Sequence, residues 1–254
     1  MRVLLSNDDG VHAEGLRTLA SAFEGDEVWV VAPDREQSAT SHSISLHRPL
    51  RVVEVSPRWY AVDGTPTDAV YMGMNLLLKG RRPDVVVSGV NHGPNLGNDV
   101  LYSGTVAAAM EGALLGVNAI AVSLAARPPH DFGEAARFAA ALARRLVESS
   151  HPTRLLFNVN VPRGPVRGYR FVRLGRRDYG SEVIEKTDPR GRKYYWIGGE
   201  GGATHENEPG TDCTCALEEG LVSVTPLHLD LTHDDELQIM RSWTVPGYTK
   251  EPLL

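Results

Sequence analysis

The segment Leu4-Leu5-Ser6-Asn7-Asp8-Asp9-Gly10 brings an apolar run that begins at Val3 to a stop on two adjacent carboxylates and a glycine. A short apolar run that ends on turn residues reads as a buried strand of a parallel sheet. In open α/β sheets, ligands sit just beyond the carboxyl ends of such strands. Two carboxylates side by side repel one another there unless a cation neutralises them or one keeps its proton. A divalent metal at Asp8 and Asp9 is therefore the expectation from charge. Taken alone, the pair still favours an ordinary exposed turn or a helix N-cap, since Asp suits both. The surrounding chain has to decide.

Downstream, Leu16, Leu19, Ala20 and Phe23 recur at helical spacing, which predicts a helix over about 13–23, ending near Gly25. Residues 27–32 form a second apolar strand, stopped by Pro33. Strand, helix and strand in this order make a βαβ unit, hence a parallel sheet with a right-handed crossover. The polar segment 34–48, rich in Ser and His, is long for a βα connection, and such loops are often functional. Its first residues follow the second strand and so lie beside the end of the first. Ser38 can then add a neutral oxygen to a metal held by Asp8 and Asp9. His42 and His47 are further candidate ligands, although lone histidines are more often plain surface groups.

Residues 50–55 and 59–62 alternate as an antiparallel pair around Ser56-Pro57. Thr65 and Pro66 then set up a helix, the first as N-cap and the second at the first helical position. Its apolar face runs through Val70, Met74, Leu77 and Leu78, and Gly80 ends it. Residues 84–88 are a nearly continuous β-branched run, which marks a central strand. The Gly- and Asn-dense stretch 89–99 follows, suited to a ligand cradle or to a merely flexible connection. Next come Ser103, Gly104 and Thr105 at the start of a helix over 106–115. Two hydroxyls, a close backbone and free N–H groups at a helix start fit a phosphate; an ordinary cap uses the same residues.

A strand over 117–124, an amphipathic helix over about 132–147 and a strand over 154–161 continue the alternation. The pattern then changes. Residues 169–174 read as a strand, and 183–186 and 193–197 as hairpin arms around Asp188-Pro189-Arg190-Gly191. The Gly- and Glu-rich stretch 198–210 reads as mobile. Residues 211–217 and 221–225 flank another turn, and 227–231 lead into a short helix with Leu237, Ile239 and Met240. The expected fold class is α/β, with a mostly parallel core over 1–165 and an antiparallel extension over 166–254. Exposed Tyr194, Tyr195 and Trp196 on a hairpin would need a partner surface, in an oligomer or on the core.

Composition sets bounds. The 254 residues are enough for one large domain, with 42% hydrophobic and 23% charged residues. A net charge of -6 argues against a nucleic-acid polymer or an anionic membrane as partner, but leaves room for a small anion. Cys213 and Cys215 are too few for a disulfide framework and read as reduced thiols in the cytoplasm. Neither a signal peptide nor a membrane span is visible.

The phrases LLSNDDGVHAEGL, VVAPDREQS, SHSISLHRPL, DGTPTD, DVVVSGVNHGPNLGNDVLYSGTVAAAMEGALLG and SVTPLHLDLT, spread over nearly the whole chain, resemble the stationary-phase survival protein SurE family. The resemblance implies a Rossmann-like three-layer core with a swapped or protruding C-terminal portion, assembled as homodimers or homotetramers. It implies hydrolysis of nucleoside 5′- and 3′-monophosphates, with short polyphosphate as a further substrate. It implies one divalent cation per subunit on Asp8, Asp9, Ser38 and Asn91, and a phosphate pocket of Asn95, Ser103, Gly104 and Thr105. Two positions depart from the family's pattern: Glu14 stands where proline is frequent, and Ala39 where glycine is frequent.

With all ligands oxygens, Mg²⁺, Mn²⁺ or Ca²⁺ suits the metal set better than structural zinc. Asp8 or Asp9 would take a water proton or attack directly, and Asn95 would steady the phosphoryl charge. Other readings need residues that are missing. A receiver domain needs an Asp at a central strand end, and here Ser88-Gly89 stands there. A haloacid-dehalogenase-like phosphatase needs Asp-x-Asp. A dinucleotide enzyme needs Gly-x-Gly-x-x-Gly. A nucleotide-binding stress-response module without turnover is the remaining alternative. Tyr102 is a candidate for stacking on the base.

Overall fold

Strand β1 (Arg2–Ser6) alternates its side chains between two hydrophobic layers, Val3 and Leu5 into one and Leu4 into the other. That two-sided burial explains its continuous apolar run. The computed structural model describes residues 1–126, 128, 130–149, 151–197 and 204–249. After β1 come α1 (Glu14–Ser21), β2 (Glu27–Pro33), the hairpin β3 (Val52–Ser56) and β4 (Trp59–Val62), and α2 (Pro66–Met72). Then follow β5 (Val85–His92), α3 (Gly104–Leu114), β6 (Asn118–Ala125), α4 (Gly133–Glu148) and β7 (Leu156–Pro162). The later elements are β8 (Tyr169–Phe171), β9 (Arg177–Asp178), β10 (Val183–Thr187), β11 (Lys193–Ile197) and β12 (Thr204–His205). Helix α5 (Asp212–Leu217), β13 (Val222–Pro226) and α6 (Asp234–Met240) complete the order.

The nine-stranded sheet runs β3-β4-β2-β1-β5-β6-β7-β13-β8. Strands β4 through β7 in that order are mutually parallel, β3 is antiparallel to β4, and β13 is antiparallel to β7. Helices α1 and α4 cover one face, where Leu16, Leu19, Ala136 and Ala139 join the β1 and β5 valines. Helices α2 and α3 cover the other through Ala69, Val70, Val106 and Ala109. The result is a three-layer, Rossmann-like α/β core with antiparallel strands in its C-terminal part. From β1 the chain first adds strands to one side and then, with β5, to the other. The carboxyl ends of β1 and β5 therefore flank the switch point where such sheets bind ligands.

The expected helix at Thr65 is present, and its cap is reciprocal: Thr65 Oγ1 accepts the Asp68 N–H at 3.1 Å while Asp68 Oδ2 accepts the Thr65 N–H at 2.9 Å. Helix α2 ends at Met72, and one wide turn (Gly73–Leu77) carries its apolar face onward. The expected hairpin arms β10 and β11 pair antiparallel around the Asp188 turn, from Val183 opposite Ile197 to Thr187 opposite Lys193. In the C-terminal part, the segment 211–217, expected to flank a turn, forms helix α5, with Thr211 as its cap accepting the Thr214 N–H. Residues 198–203 of the stretch expected to be mobile lie outside the described residues, and Thr204 and His205 pair with β9. Residues after 165 return two strands, β8 and β13, to the core sheet. Helix α6 contains no buried residue, and Tyr194, Tyr195, Trp196 and Ile197 on the second hairpin arm are exposed. Among the described residues, no helix is long and apolar enough to cross a membrane.

Candidate active site

The turn after β1 is built by Asn7, whose side chain accepts the Gly10 N–H at 3.2 Å and donates to the Gly10 carbonyl at 3.1 Å. This closed turn projects Asp8 and Asp9 from the sheet end. The segment after β2 is drawn alongside: the Gln37 N–H donates to the Asp8 carbonyl at 2.7 Å, and the Ser41 N–H to the Tyr102 carbonyl at 3.1 Å. On this anchored stretch Ala39 and Ser41 sit at φ 57° and 53°, a left-handed backbone that favours glycine. The methyl at Ala39 is thus accommodated at a cost in strain. Strand β5 runs past its expected end at Ser88, with an irregular register against β6 between Ser88 and Asn91. A Cβ on Gly89, at φ +137°, would lie 2.2 Å from the Val122 carbonyl oxygen, so only glycine fits there. The irregularity lets the strand carry Asn91 and His92 to the sheet's ligand end.

A cavity of about 1010 Å³ is lined by Asp8, Asp9, Ser38, Asn91, Asn95 and Ser103, six of the eight residues that the resemblance assigns to metal and phosphate, and by Tyr102. The other two stand immediately behind Asp8. A Cβ on Gly104 would be 2.8 Å from Asp8 Cβ, and Thr105 Oγ1 donates to Asp8 Oδ1. Helix α3 starts behind Asp8, and Ser103, which lines the cavity, is its cap, accepting the Val106 N–H at 3.1 Å. His42 pairs instead with Glu111 at 3.0 Å, and neither it nor the exposed His47 is among the described residues that line this cavity.

Asn95 is held from four directions. Its N–H donates to Asn160 Oδ1 at 2.8 Å, and its carbonyl accepts from Asn158 at 2.7 Å and Asn160 at 3.0 Å. Its side-chain amide donates to Ser123 Oγ at 2.7 Å. Asp212, fully buried, accepts the N–H groups of Gly97 at 2.9 Å and Gly175 at 2.7 Å, pinning the next turn. Ser123, Asn158, Asn160, Asp212 and His92 were missed by sequence reasoning. Polar residues inside the otherwise apolar runs of β6 and β7 were the available signal for the first three. His92 Nδ1 lies 3.1 Å from Asp9 Oδ1, where its N–H donates to the carboxylate.

The electrostatics are those of uncompensated acids. Burial, aided by the neighbouring Asp9 charge, pushes Asp8 up to about 6 against the opposing Thr105 hydrogen bonds. Burial also raises Asp9, against the opposing pull of His92. Asp9 Oδ2 is buried with no hydrogen-bond partner. Such an orphaned oxygen is costly in a protein interior. Ser38 Oγ donates to Glu36 at 2.9 Å and Asn91 Nδ2 to the Gly93 carbonyl at 2.9 Å, so both keep oxygen lone pairs to offer. Two carboxylates and two neutral oxygens fit a hard divalent cation. Among the described residues, no group of three or more His, Cys, Asp and Glu side chains is disposed to bind a metal. A cation here would depend on the neutral oxygens.

Comparison with known proteins places the chain in a family. The family model described as "Survival protein SurE" matches residues 3–181. The chain is 80% identical over 254 residues to the protein named 5′-nucleotidase SurE of Anaeromyxobacter sp. (strain Fw109-5), covering 100% of both. It is 56% identical over 251 residues to the protein of that name in Myxococcus xanthus (strain DK1622), covering 98% of this chain and 95% of that protein. The crystal structure of the Sure protein from Aquifex aeolicus superposes with a TM-score of 0.83 at 37% identity, over 95% of this chain and 98% of that one.

Proposed function

The chain belongs to the SurE family of survival proteins, and on that premise we propose that it is a 5′-nucleotidase, a phosphomonoesterase releasing phosphate from nucleoside monophosphates in the cytoplasm with the help of one divalent cation. The observation that carries the reading is the convergence of Asp8, Asp9, Ser38, Asn91, Asn95 and Ser103 on one cavity at the sheet's switch point. Asp8, Asp9, Ser38 and Asn91 are the residues that would hold the cation, Mg²⁺, Mn²⁺ or Ca²⁺. When bound, it supplies positive charge that polarises the phosphoryl group and acidifies water.

The chain's own groups do the rest. Ser103, at the start of α3, would face the phosphoryl oxygens from the cavity wall, where the positive end of the helix favours negative charge. Asn95, immobilised by Ser123, Asn158 and Asn160, presents its remaining amide hydrogen without reorganising. Thr105 keeps Asp8 in place, and His92 engages one oxygen of Asp9 while the other is buried without a hydrogen-bond partner. One of the two carboxylates accepts the proton of the attacking water or attacks phosphorus itself. The cavity is also roomy enough for 3′-nucleotides and for short polyphosphate. The exposed β11 aromatics and helix α6 support a homodimer or homotetramer.

The test is phosphate release from a panel of 5′- and 3′-nucleoside monophosphates and short polyphosphate, with Mg²⁺, Mn²⁺ or Ca²⁺ and with chelator. Release from 5′-nucleotides that chelator abolishes is expected. Asp8→Asn should lose it while remaining folded, and near-normal turnover in that variant would sink the assignment. Saturable nucleotide binding without any release would instead mark a binding module.

A further inference from the structure

The phosphate end occupies only part of the cavity. Its volume, about 1010 Å³, is at the upper end of the ~300–1,000 Å³ usual for small-molecule sites. Its lining also includes Tyr102, Pro94 and, from the C-terminal part of the chain, Tyr179 and Ile197. Tyr179 is 49% exposed, yet its ring is held at two points. Its hydroxyl donates to Asp99 Oδ1 at 2.7 Å, and the Arg177 guanidinium carbon lies 5.3 Å from the ring centroid. Arg177 also donates to Asp99 Oδ2, and its own N–H donates to Asn98 Oδ1 at 2.7 Å.

Asp99 joins the two ends of the site. Its side chain anchors Tyr179, while its main-chain carbonyl accepts the N–H groups of Tyr102 at 2.9 Å and Ser103 at 3.1 Å. The residue that sets the aromatic wall is thus the same one that sets the phosphate turn. A rigid aromatic face at a fixed offset from a phosphate site is suited to stacking a nucleobase without ordering cost.

We infer that Tyr179 is a specificity residue of this enzyme, forming the face against which the nucleoside base stacks, with Asp99 and Arg177 as the positioning residues that hold its ring. The inference rests on the nucleotidase reading above. It places the base preference in the segment that follows β9, outside the parallel core. Burial and Asp99 push the Tyr179 hydroxyl up to about 12, so it remains a donor to Asp99 throughout the working pH range.

The experiment compares kcat/KM for adenosine 5′-monophosphate and for ribose 5-phosphate, which carries the same ester but no base, with Mn²⁺ present. The ratio of the two is independent of how much enzyme is folded, so a partly unfolded variant still reports. Tyr179→Ala and Tyr179→Leu should each lower the ratio by about tenfold, chiefly through KM for the nucleotide, in line with base–aromatic stacking. Tyr179→Phe, which keeps the ring, should stay within about threefold of the parent protein. A ratio unmoved in the Ala and Leu variants, a Phe variant as impaired as Ala, or a parent protein indifferent to the base would overturn the inference while leaving a nucleotidase. A parent protein that releases phosphate from neither substrate would remove the nucleotidase reading itself, and this inference with it.

Discussion

Replacing Thr105 by valine tests how Asp8 is held. The substitution exchanges one hydroxyl for a methyl of similar size at a fully buried position, and takes from Asp8, itself only 4% exposed, the donor to its Oδ1. A hydrogen bond to a charged group contributes about 1.5–3 kcal/mol, and a buried acceptor left without its donor loses that contribution in full. For a chain of this length each kcal/mol corresponds to about 2–4 °C, so the melting temperature in chelator should fall by about 3–12 °C. A saturating divalent cation compensates the Asp8 charge and should narrow the gap between variant and parent. The assay is scanning calorimetry of both proteins in chelator and in Mn²⁺, paired with phosphate release. A variant melting within about 1 °C of the parent in chelator, at the noise floor for such a shift, would refute the role given to Thr105. So would a gap that Mn²⁺ leaves unchanged.

Three other outcomes are expected. Gly104→Ala adds a good helix former at a helical position, a gain of about 1 kcal/mol in isolation. The new Cβ would lie 2.8 Å from Asp8 Cβ and 3.1 Å from Pro66 Cγ, however, and overpacking of about 1–3 kcal/mol should win; a raised melting temperature with intact phosphate release would contradict this. Ala39→Gly should stabilise by about 1 kcal/mol or less, because relief of the left-handed backbone at φ 57° is partly offset by the greater freedom of unfolded glycine. Thermal melts decide it, a clear loss of stability being the adverse result. Burial pushes the Cys213 and Cys215 thiols up to about 12 and about 11 from an ordinary 9.0. The folded state therefore retains protons that the unfolded chain gives up. This contribution is intact below pH 9 and lost as pH rises through that window, so urea midpoints should fall above pH 9, less steeply in Cys213→Ala.

Local signals in the chain were sufficient wherever neighbours in sequence decide structure. The acidic stop after Leu5, the Thr65-Pro66 cap and the turn at Asp188 each place an element through chemistry contained within a few residues. The same holds for much of the site, because strand ends of a parallel sheet converge by topology, so Asp8, Ser38 and Ser103 meet once the strand order is known. What remained hidden depends on distant contacts. Helix α5 spans only Asp212–Leu217, too short for periodicity to declare, and its Asp212 acts on Gly97 and Gly175 far along the chain. Asn158 and Asn160 look like blemishes in an apolar strand until Asn95 is seen bonded to both. His92 becomes informative only when the β5 irregularity turns it towards Asp9.

Strand β13 lies between β7 and β8 and is the last strand of the nine to be synthesised. While the chain is growing, the seven-residue rim of β7 has no neighbour on that flank, and an open rim of this kind recruits foreign strands. Ribosome-bound intermediates ending near residue 181 should consequently stick to one another or to chaperones, and solubility should return only after residues 222–226 emerge. Late sealing of the sheet would make the tail of this protein a checkpoint on its own manufacture.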